Sequence, residues 1–479
     1  MSLCYGNRGV PFIHAPGGDG AQIELMGPSS SQIGNESNGI QAIGFAAMVS
    51  FVYAFNSRVL DLHYYYLHLP MILAVTTGIC AFVAGSLFKA FKTRAGLLYL
   101  GLTGWFVAGV PFAFWRGGSA GTVSDWLRTL LIWAFLVGLT VTYRECKVLL
   151  NTVVVAAATA ALMALAGGGG EVEGRLGLEQ GLLANPNYFA LELLIALPLT
   201  WRFYSGGGRP GVFRRLLAAG FGGLILLSFF KSGSRAGLYS LGVMFLLTIV
   251  RAKPLRKIQI ALVAGVLFVS MFAVLPSYLR ERYFTFSSTE GKEYADEFAA
   301  KVGGSAAGST TQRQHVLGQS VTITLTHPIF GVGVGNFAAY VFQINKDQGR
   351  RMEAWLGTHN TYAQISSEAG IPALLIWLGI LAVTWRSLTH LIRATRHDDR
   401  PEARDIYQTA QAAQVCLGSL CFFLFFIHMA YEILPHMVIG LALAVAYTGQ
   451  RELRNLDAQQ LPPVTGDDGG NRVRSQYAA

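Results

Sequence analysis

The chain has 479 residues, of which 52% are hydrophobic and only 13% charged; a soluble globular domain carries about 25% charged residues. Its formal charge is +10, but the basic residues sit between apolar runs and form no stripe interleaved with aromatics, which argues against a nucleic-acid partner. Mean hydropathy is +0.42, and apolar runs of about 16–22 residues recur along the chain, so the expected fold is an all-α integral membrane protein of about twelve transmembrane helices in a lipid bilayer.

The first 38 residues are rich in Gly, Ser and Pro and lack an apolar core. They read as a disordered cytoplasmic leader and not as a signal peptide. Apolar runs bounded by charges or Gly/Pro clusters then fall at 39–55, 69–90, 95–114, 126–143, 147–166, 188–204, 215–230, 236–251 and 258–275. These nine expected spans occupy 39–275. A large loop follows over 276–369, then three more runs at 370–387, 410–429 and 433–448. The polar tail 449–479 is expected to be disordered and cytoplasmic.

The short loops test this count, because cytoplasmic loops hold an excess of Lys and Arg. With a cytoplasmic N-terminus, the inner loops carry Lys89, Lys92 and Arg94; Arg144 and Lys147; Arg202, Arg209, Arg214 and Arg215; Arg251, Lys253, Arg256 and Lys257; then Arg386, Arg393, Arg396, Arg400 and Arg404. The outer short loops offer Arg58, Arg116, Arg175, and Lys231 with Arg235. Both termini are therefore expected in the cytoplasm, with the loop 276–369 outside. That loop contains Tyr278, Tyr283, Phe330, Phe337, Tyr340 and Trp355, so it is expected to be mostly ordered and helical. The stretch Gly303–Thr311 (GGSAAGSTT) reads as mobile. Five cysteines (Cys4, Cys80, Cys146, Cys416, Cys421) leave the large loop empty. No disulfide framework is implied, and Cys416/Cys421 read as packing within one run.

Basic groups on the outer side are the exceptions to the orienting rule, and an ionisable group at a membrane is costly unless paired or solvated. Arg235 lies in the tight turn KSGSRAG (231–237). It reads either as a snorkelling helix anchor or as an anion-binding group whose planar fork suits phosphate. Arg313 opens a helix-like segment, QRQHVLGQSVTIT, and reads alone as a solvated loop charge; His315 and His327 nearby read as structural. Arg175 precedes the turn Asn185-Pro186 leading into span 6, and reads as part of a turn and helix cap. His359 stands in Gly357-Thr358-His359-Asn360-Thr361-Tyr362, where Thr358 is a candidate cap for a helix stopping at Gly370. On that helix His359, Tyr362 and Ser366 fall near one face. A lone His is most often structural, yet an imidazole is the side chain whose ordinary pKa suits a general base near neutrality. No Walker loop, Rossmann fingerprint or HExxH helix occurs. Asp296, Glu297 and Glu353 are scattered, so the expected site uses no metal and no cofactor.

KSGSRAG, the Arg ahead of a helix, HPIFGVGVGNF (327–337) and THNTYAQISSEAGIPALL (358–375), in that order, resemble the O-antigen ligase and polymerase superfamily. ANPNYFALELLIALPL (184–199) is also similar, so the resemblance runs over about 175–387. The resemblance implies a nucleotide- and metal-independent glycosyltransferase with an undecaprenyl-diphosphate-linked glycan as donor. In the ligase branch the acceptor is the lipid A–core oligosaccharide on the periplasmic face of the inner membrane. By the same resemblance Arg235 and Arg313 hold the donor diphosphate. His359 acts on the acceptor hydroxyl, as base or as an orienting hydrogen-bond partner, and direct attack inverts the anomeric centre. Arg175, Asn187, Lys231, Asn360 and Tyr362 are candidate supporting residues. The rivals are the polymerase branch, a protein O-oligosaccharyltransferase, and, from another class, a transporter or flippase. A transporter would place charges near the midplane and show repeats; here they cluster at one outer face.

Overall fold

The computed structural model describes residues 39–168, 171–172, 174–179, 181–205, 211–284, 306–349 and 357–460. The described chain is a helical membrane bundle. Its helices are α1 (Gly39–Ser57), α2 (Val59–Tyr64), α3 (Leu69–Val83), α4 (Ser86–Phe91), α5 (Arg94–Gly109), α6 (Arg116–Leu139), α7 (Tyr143–Met163) and α8 (Pro186–Ser205). There follow α9 (Val212–Lys231), α10 (Arg235–Arg251), α11 (Pro254–Val274), α12 (Ser277–Phe284), α13 (Ala306–Thr326), α14 (Phe337–Asp347), α15 (Thr361–Thr395), α16 (Pro401–Phe423) and α17 (Ile433–Gln460). A two-stranded antiparallel hairpin, Glu171–Val172 with Arg175–Leu176, sits between α7 and α8.

Each expected apolar run overlaps at least one of these helices, and eight described helices are long and apolar enough to cross a membrane by length and composition. The others are shorter, as α3 and α10, or carry polar groups turned into the bundle, as Glu192 on α8 and Asp405, Thr409 and Gln414 on α16. Burial sorts the helices. The most apolar stretch of α17 is 83% buried and that of α6 67%, whereas that of α11 is 0% buried. The first two therefore form the core of the bundle, and α11 offers its apolar surface to lipid. Local sequence fixes the helix starts. Thr142 and Glu145 form a reciprocal capping box on α7, and the Ser234 hydroxyl accepts from the Gly237 amide at 3.1 Å to open α10.

Hydrogen bonds gather the connections into two sets. At one end, Asn336 Nδ2 donates to the Trp115 carbonyl (3.0 Å), Tyr278 Oη to the Gly174 carbonyl (2.9 Å) and Arg175 Nε to the Ser232 carbonyl (2.9 Å). At another, Arg451 Nη1 donates to the Val141 carbonyl (2.8 Å), Lys147 pairs with Asp405 (3.2 Å) and Arg400 with Asp457 (2.6 Å).

Five boundaries differ from the sequence expectation. The run 69–90 is two helices, because Gly85 takes the left-handed conformation (φ 65°) between α3 and α4. The run 410–429 stops being helical at Phe423. Beyond it, the carbonyls of Leu424 and Ile427 and the amides of Met429 and Ala430 find partners on Thr361 and Gln364 of α15, so the backbone has no need to continue a helix. The segment expected to be mobile, 303–311, is helical from residue 306, and Arg313 lies within α13 and not at its start. The helix ahead of Gly370 does not end there: Gly370 (φ 84°) kinks it and the chain resumes at once as the rest of α15. Finally α17 runs to Gln460, past the expected start of the disordered tail at 449, because Arg451 and Asp457 make the contacts above and Leu456 packs on the core. The leader 1–38, the tail beyond 460, and Asp296, Glu297, Glu353 and Trp355 lie outside the described residues.

Candidate active site

The kink at Gly370 organises one side of the site. A helix broken there loses the partners of its last carbonyls, and a buried carbonyl must be satisfied elsewhere. The carbonyls of Ser367, Glu368 and Ala369 accept from the Val332 amide, the Gly333 amide and Trp105 Nε1, each at 2.9 Å. The Ile371 amide donates to the Pro328 carbonyl at 2.8 Å. The HPIFGVG segment is thus clasped on the kink. The Glu368 carboxyl, 4% exposed, then accepts from the amides of Gly335 (3.0 Å) and Phe337 (3.2 Å) and from Tyr431 Oη (2.8 Å). It caps α14 and ties it to the connection 424–432. Sequence reading assigned Glu368 no role of its own, carrying it only within the stretch 358–375.

On the other side is the turn KSGSR. Arg175 is 7% exposed. Its Nε donates to the Ser232 carbonyl at 2.9 Å and its Nη2 to Asn187 Oδ1 at 3.0 Å. The same Asn187 oxygen accepts from Ser234 Oγ at 2.9 Å. Gly233 is left-handed (φ 59°), and a Cβ there would press on the Leu279 side chain at 3.0 Å and lie 3.4 Å from Arg175 Cγ. Arg175 and Asn187 therefore hold the turn that delivers Arg235, the half-buried first residue of α10. Arg175 does more than shape its own turn, as the sequence suggested; that turn forms independently, the Asn187 amide donating to Asn185 Oδ1 at 2.9 Å. Lys231 is the half-buried last residue of α9.

His359 is half-buried and left-handed (φ 50°). It precedes α15 and is not part of its face. Asn360, not Thr358, caps that helix, its Oδ1 accepting from the Ala363 amide at 3.0 Å, while Thr358 Oγ1 donates to the Asn360 carbonyl (3.0 Å). Tyr362 turns to the bundle, donating to the Cys421 carbonyl at 2.7 Å and packing on Phe425 and Trp377. Ser366 pairs with Thr324 of α13 at 2.9 Å.

The His359 ring instead meets His428, with centroids 5.2 Å apart and planes at 76°. His428 lies in the connection 424–432, inside a run that sequence reading assigned to a span. Its only signal was a polar residue within CFFLFFIHMAYE. The Tyr188 hydroxyl donates to the His428 carbonyl at 3.3 Å. Tyr188 follows Asn187, so adjacent residues of α8 link the Arg175–Arg235 turn to the histidine pair. Arg313 of α13 bears electrostatically on both rings. Burial, then His428, then Arg313 hold the His359 imidazole down to about 4. Burial followed by Arg313 also lowers His428. Both rings are neutral at pH 7, so His359 presents an unprotonated nitrogen beside a fixed positive charge. Arginines that receive an anion beside a neutral imidazole that receives a proton suit group transfer from an anionic leaving group to a hydroxyl. Among the described residues no three His, Cys, Asp or Glu side chains converge as metal ligands.

Residues 220–378 match the family model described as O-antigen ligase. The match covers Lys231, Arg235, Arg313, His359, Asn360, Tyr362 and Glu368, and leaves Arg175, Asn187 and His428 outside. No curated protein matches the chain. Over residues 220–378, about a third of its length, this multi-pass membrane protein is thus similar to the O-antigen ligase family.

Proposed function

We propose that the protein is an O-antigen ligase: it moves a glycan from undecaprenyl diphosphate to the lipid A–core oligosaccharide, with inversion, without metal or nucleotide. The observation that supports the reading is the neutral His359 beside His428 and under the charge of Arg313, with Tyr188 on the His428 carbonyl next in sequence to Asn187, which holds the Arg235 turn. Arg235 and Arg313 bind the diphosphate and stabilise the charge that grows on it as the C1–O bond breaks. His359 takes the proton of the acceptor hydroxyl as the new C1–O bond forms, an effect of about 10²–10⁴-fold in rate. Arg175 and Asn187 keep the Arg235 turn in place. The proposed topology has twelve crossings, both termini cytoplasmic, and the site in the periplasm of the inner membrane. The two sets of end contacts and the alternation of Lys and Arg between loops support it. In the proposed organisation, spans 1–9 occupy 39–275, the catalytic loop 276–369 and spans 10–12 370–448.

Offering purified protein the lipid-linked glycan together with either lipid A–core, a second lipid-linked glycan or an acceptor protein tests this. Transfer to lipid A–core is expected. Lengthening of the lipid-linked glycan alone identifies a polymerase, and transfer to protein alone an oligosaccharyltransferase.

A further inference from the structure

His428 lies outside the matched region and outside every motif of the resemblance, yet it touches the segment that carries His359 twice. The first contact is ring on ring, at 5.2 Å. The second is through Gly357: a Cβ there would lie 2.6 Å from Cε1 and Nε2 of His428 and 2.9 Å from Cδ2. The backbone two residues before His359 is therefore laid directly against the edge of the His428 ring, and residue 357 has to lack a side chain.

The backbone that carries the ring is firmly held. Thr361, at the start of α15, donates its amide to the Leu424 carbonyl (2.9 Å) and its hydroxyl to the Ile427 carbonyl (2.7 Å), and accepts from the Met429 amide (3.1 Å). Tyr188 secures the His428 carbonyl from α8. By contrast, His359 is a non-glycine residue in the left-handed region (φ 50°), a conformation that persists only where the surroundings impose it. The Thr358 hydroxyl, on the Asn360 carbonyl, braces that turn from within, and the His428 ring lies against it from outside. His428 Nδ1 is buried and makes no hydrogen bond to the described residues, so the ring's contribution is its shape and not a bond.

We propose that His428 is a positioning residue for His359: its ring is the seat on which Gly357–His359 rests, and it aims the His359 imidazole at the acceptor hydroxyl. The inference rests on the reading of this site as a glycan-transfer centre. It extends the machinery beyond the matched domain, to the connection between α16 and α17.

The test uses the purified full chain with His428→Ala, His428→Phe, Gly357→Ala and the double variant Gly357→Ala/His428→Ala. A ring-shaped seat is kept by Phe and removed by Ala. His428→Ala is expected to lower kcat at least about tenfold with KM for the donor within about threefold, and His428→Phe to stay within about threefold of wild type. Gly357→Ala is expected to match the loss in His428→Ala. The double variant is expected to be no worse than His428→Ala alone, because the collision is gone. A second readout needs no substrate: diethyl pyrocarbonate labelling of His359 against pH, read by peptide mass spectrometry. Among the described residues the groups bearing on His359 are His428 from the connection and Arg313 from α13. Loss of the ring both opens His359 to water and removes one of the two, so the labelling midpoint is expected to rise in His428→Ala.

Wild-type kcat in His428→Ala overturns the proposal, as does a loss in His428→Phe equal to that in His428→Ala, which would make His428 a proton carrier. Losses that multiply in the double variant also overturn it. If the wild type transfers glycan to no acceptor, the reading of the site falls and labelling still decides: an unchanged His359 midpoint in His428→Ala overturns the seat. Should His428→Ala fail to fold, His428→Phe and Gly357→Ala give the same decision.

Discussion

Arg175→Met removes the guanidinium that holds the Arg235 turn while keeping most of the stem against Gly233. Two bonds are lost, Nε to the Ser232 carbonyl and Nη2 to Asn187 Oδ1. Hydrogen bonds from a charged donor contribute about 1.5–3 kcal/mol each, and methionine recovers part of the packing, so the expected cost is about 2–4 kcal/mol. Asn187 Oδ1 keeps one donor, Ser234 Oγ, so the turn loosens without being lost. Because 1.4 kcal/mol is a factor of ten in rate, a fall in glycan transfer of about five- to thirtyfold is expected if about half of that cost falls on the placement of Arg235. The assay pairs thermal unfolding in detergent with single-turnover transfer, for Arg175→Met, Asn187→Ala and the double variant. Since both residues act on one turn, the losses should be non-additive, with a coupling of about 1 kcal/mol or more. An Arg175→Met protein with wild-type unfolding midpoint and rate would refute the reasoning, and so would strictly additive losses.

Four further outcomes follow from the same geometry. Glu368→Ala strips partners from the Gly335 and Phe337 amides and from Tyr431; at about 1 kcal/mol or more for each orphaned group, it should cost roughly 3 kcal/mol and lower the unfolding midpoint clearly. Gly370→Ala places a Cβ 1.9 Å from the Ile329 carbonyl oxygen at a left-handed φ, so it should unseat residues 327–337 from α15 and abolish transfer, as limited proteolysis and activity would show. The pH dependence has a definite sign. In the proposed mechanism the active form of His359 is neutral, and its pKa is held down to about 4, so kcat/KM should stay flat as pH falls from 7 to 5 and drop only as pH approaches that value. Arg313→Ala removes a positive charge that lowers this pKa, so the acid limb should move to higher pH while donor binding weakens; an acid limb that stays put would contradict the placement of Arg313.

The membrane fold was readable because the signal is local. Each apolar run is long enough to declare itself, and the Lys and Arg clusters between runs need no tertiary information. Gly370 was readable as a break for the same reason. What followed the break was not, since the partners of the freed carbonyls come from Val332, Gly333 and Trp105, distant in sequence. The cap of α15 was placed on Thr358 and falls on Asn360: both residue types cap, and the left-handed turn at His359 decides between them. His428 was hidden by its own neighbours. Hydropathy alone extends α16 through 429, and only the polar groups of Thr361 and Gln364 on another helix end it at Phe423. The motif-bearing residues Arg235, Arg313 and His359 were legible as candidates, but Arg175 read as a turn residue because its burial depends on the turn 231–235.

The central claim is that His359 serves the transfer step and not the binding of the donor. The direct measurement loads wild type and His359→Ala with radiolabelled undecaprenyl-diphosphate-linked glycan, in chelator and without nucleotide, then adds lipid A–core. Equal donor binding by the two proteins, with label moving to lipid A–core in the wild type alone, is the predicted result. Transfer by His359→Ala at the wild-type rate would contradict the account.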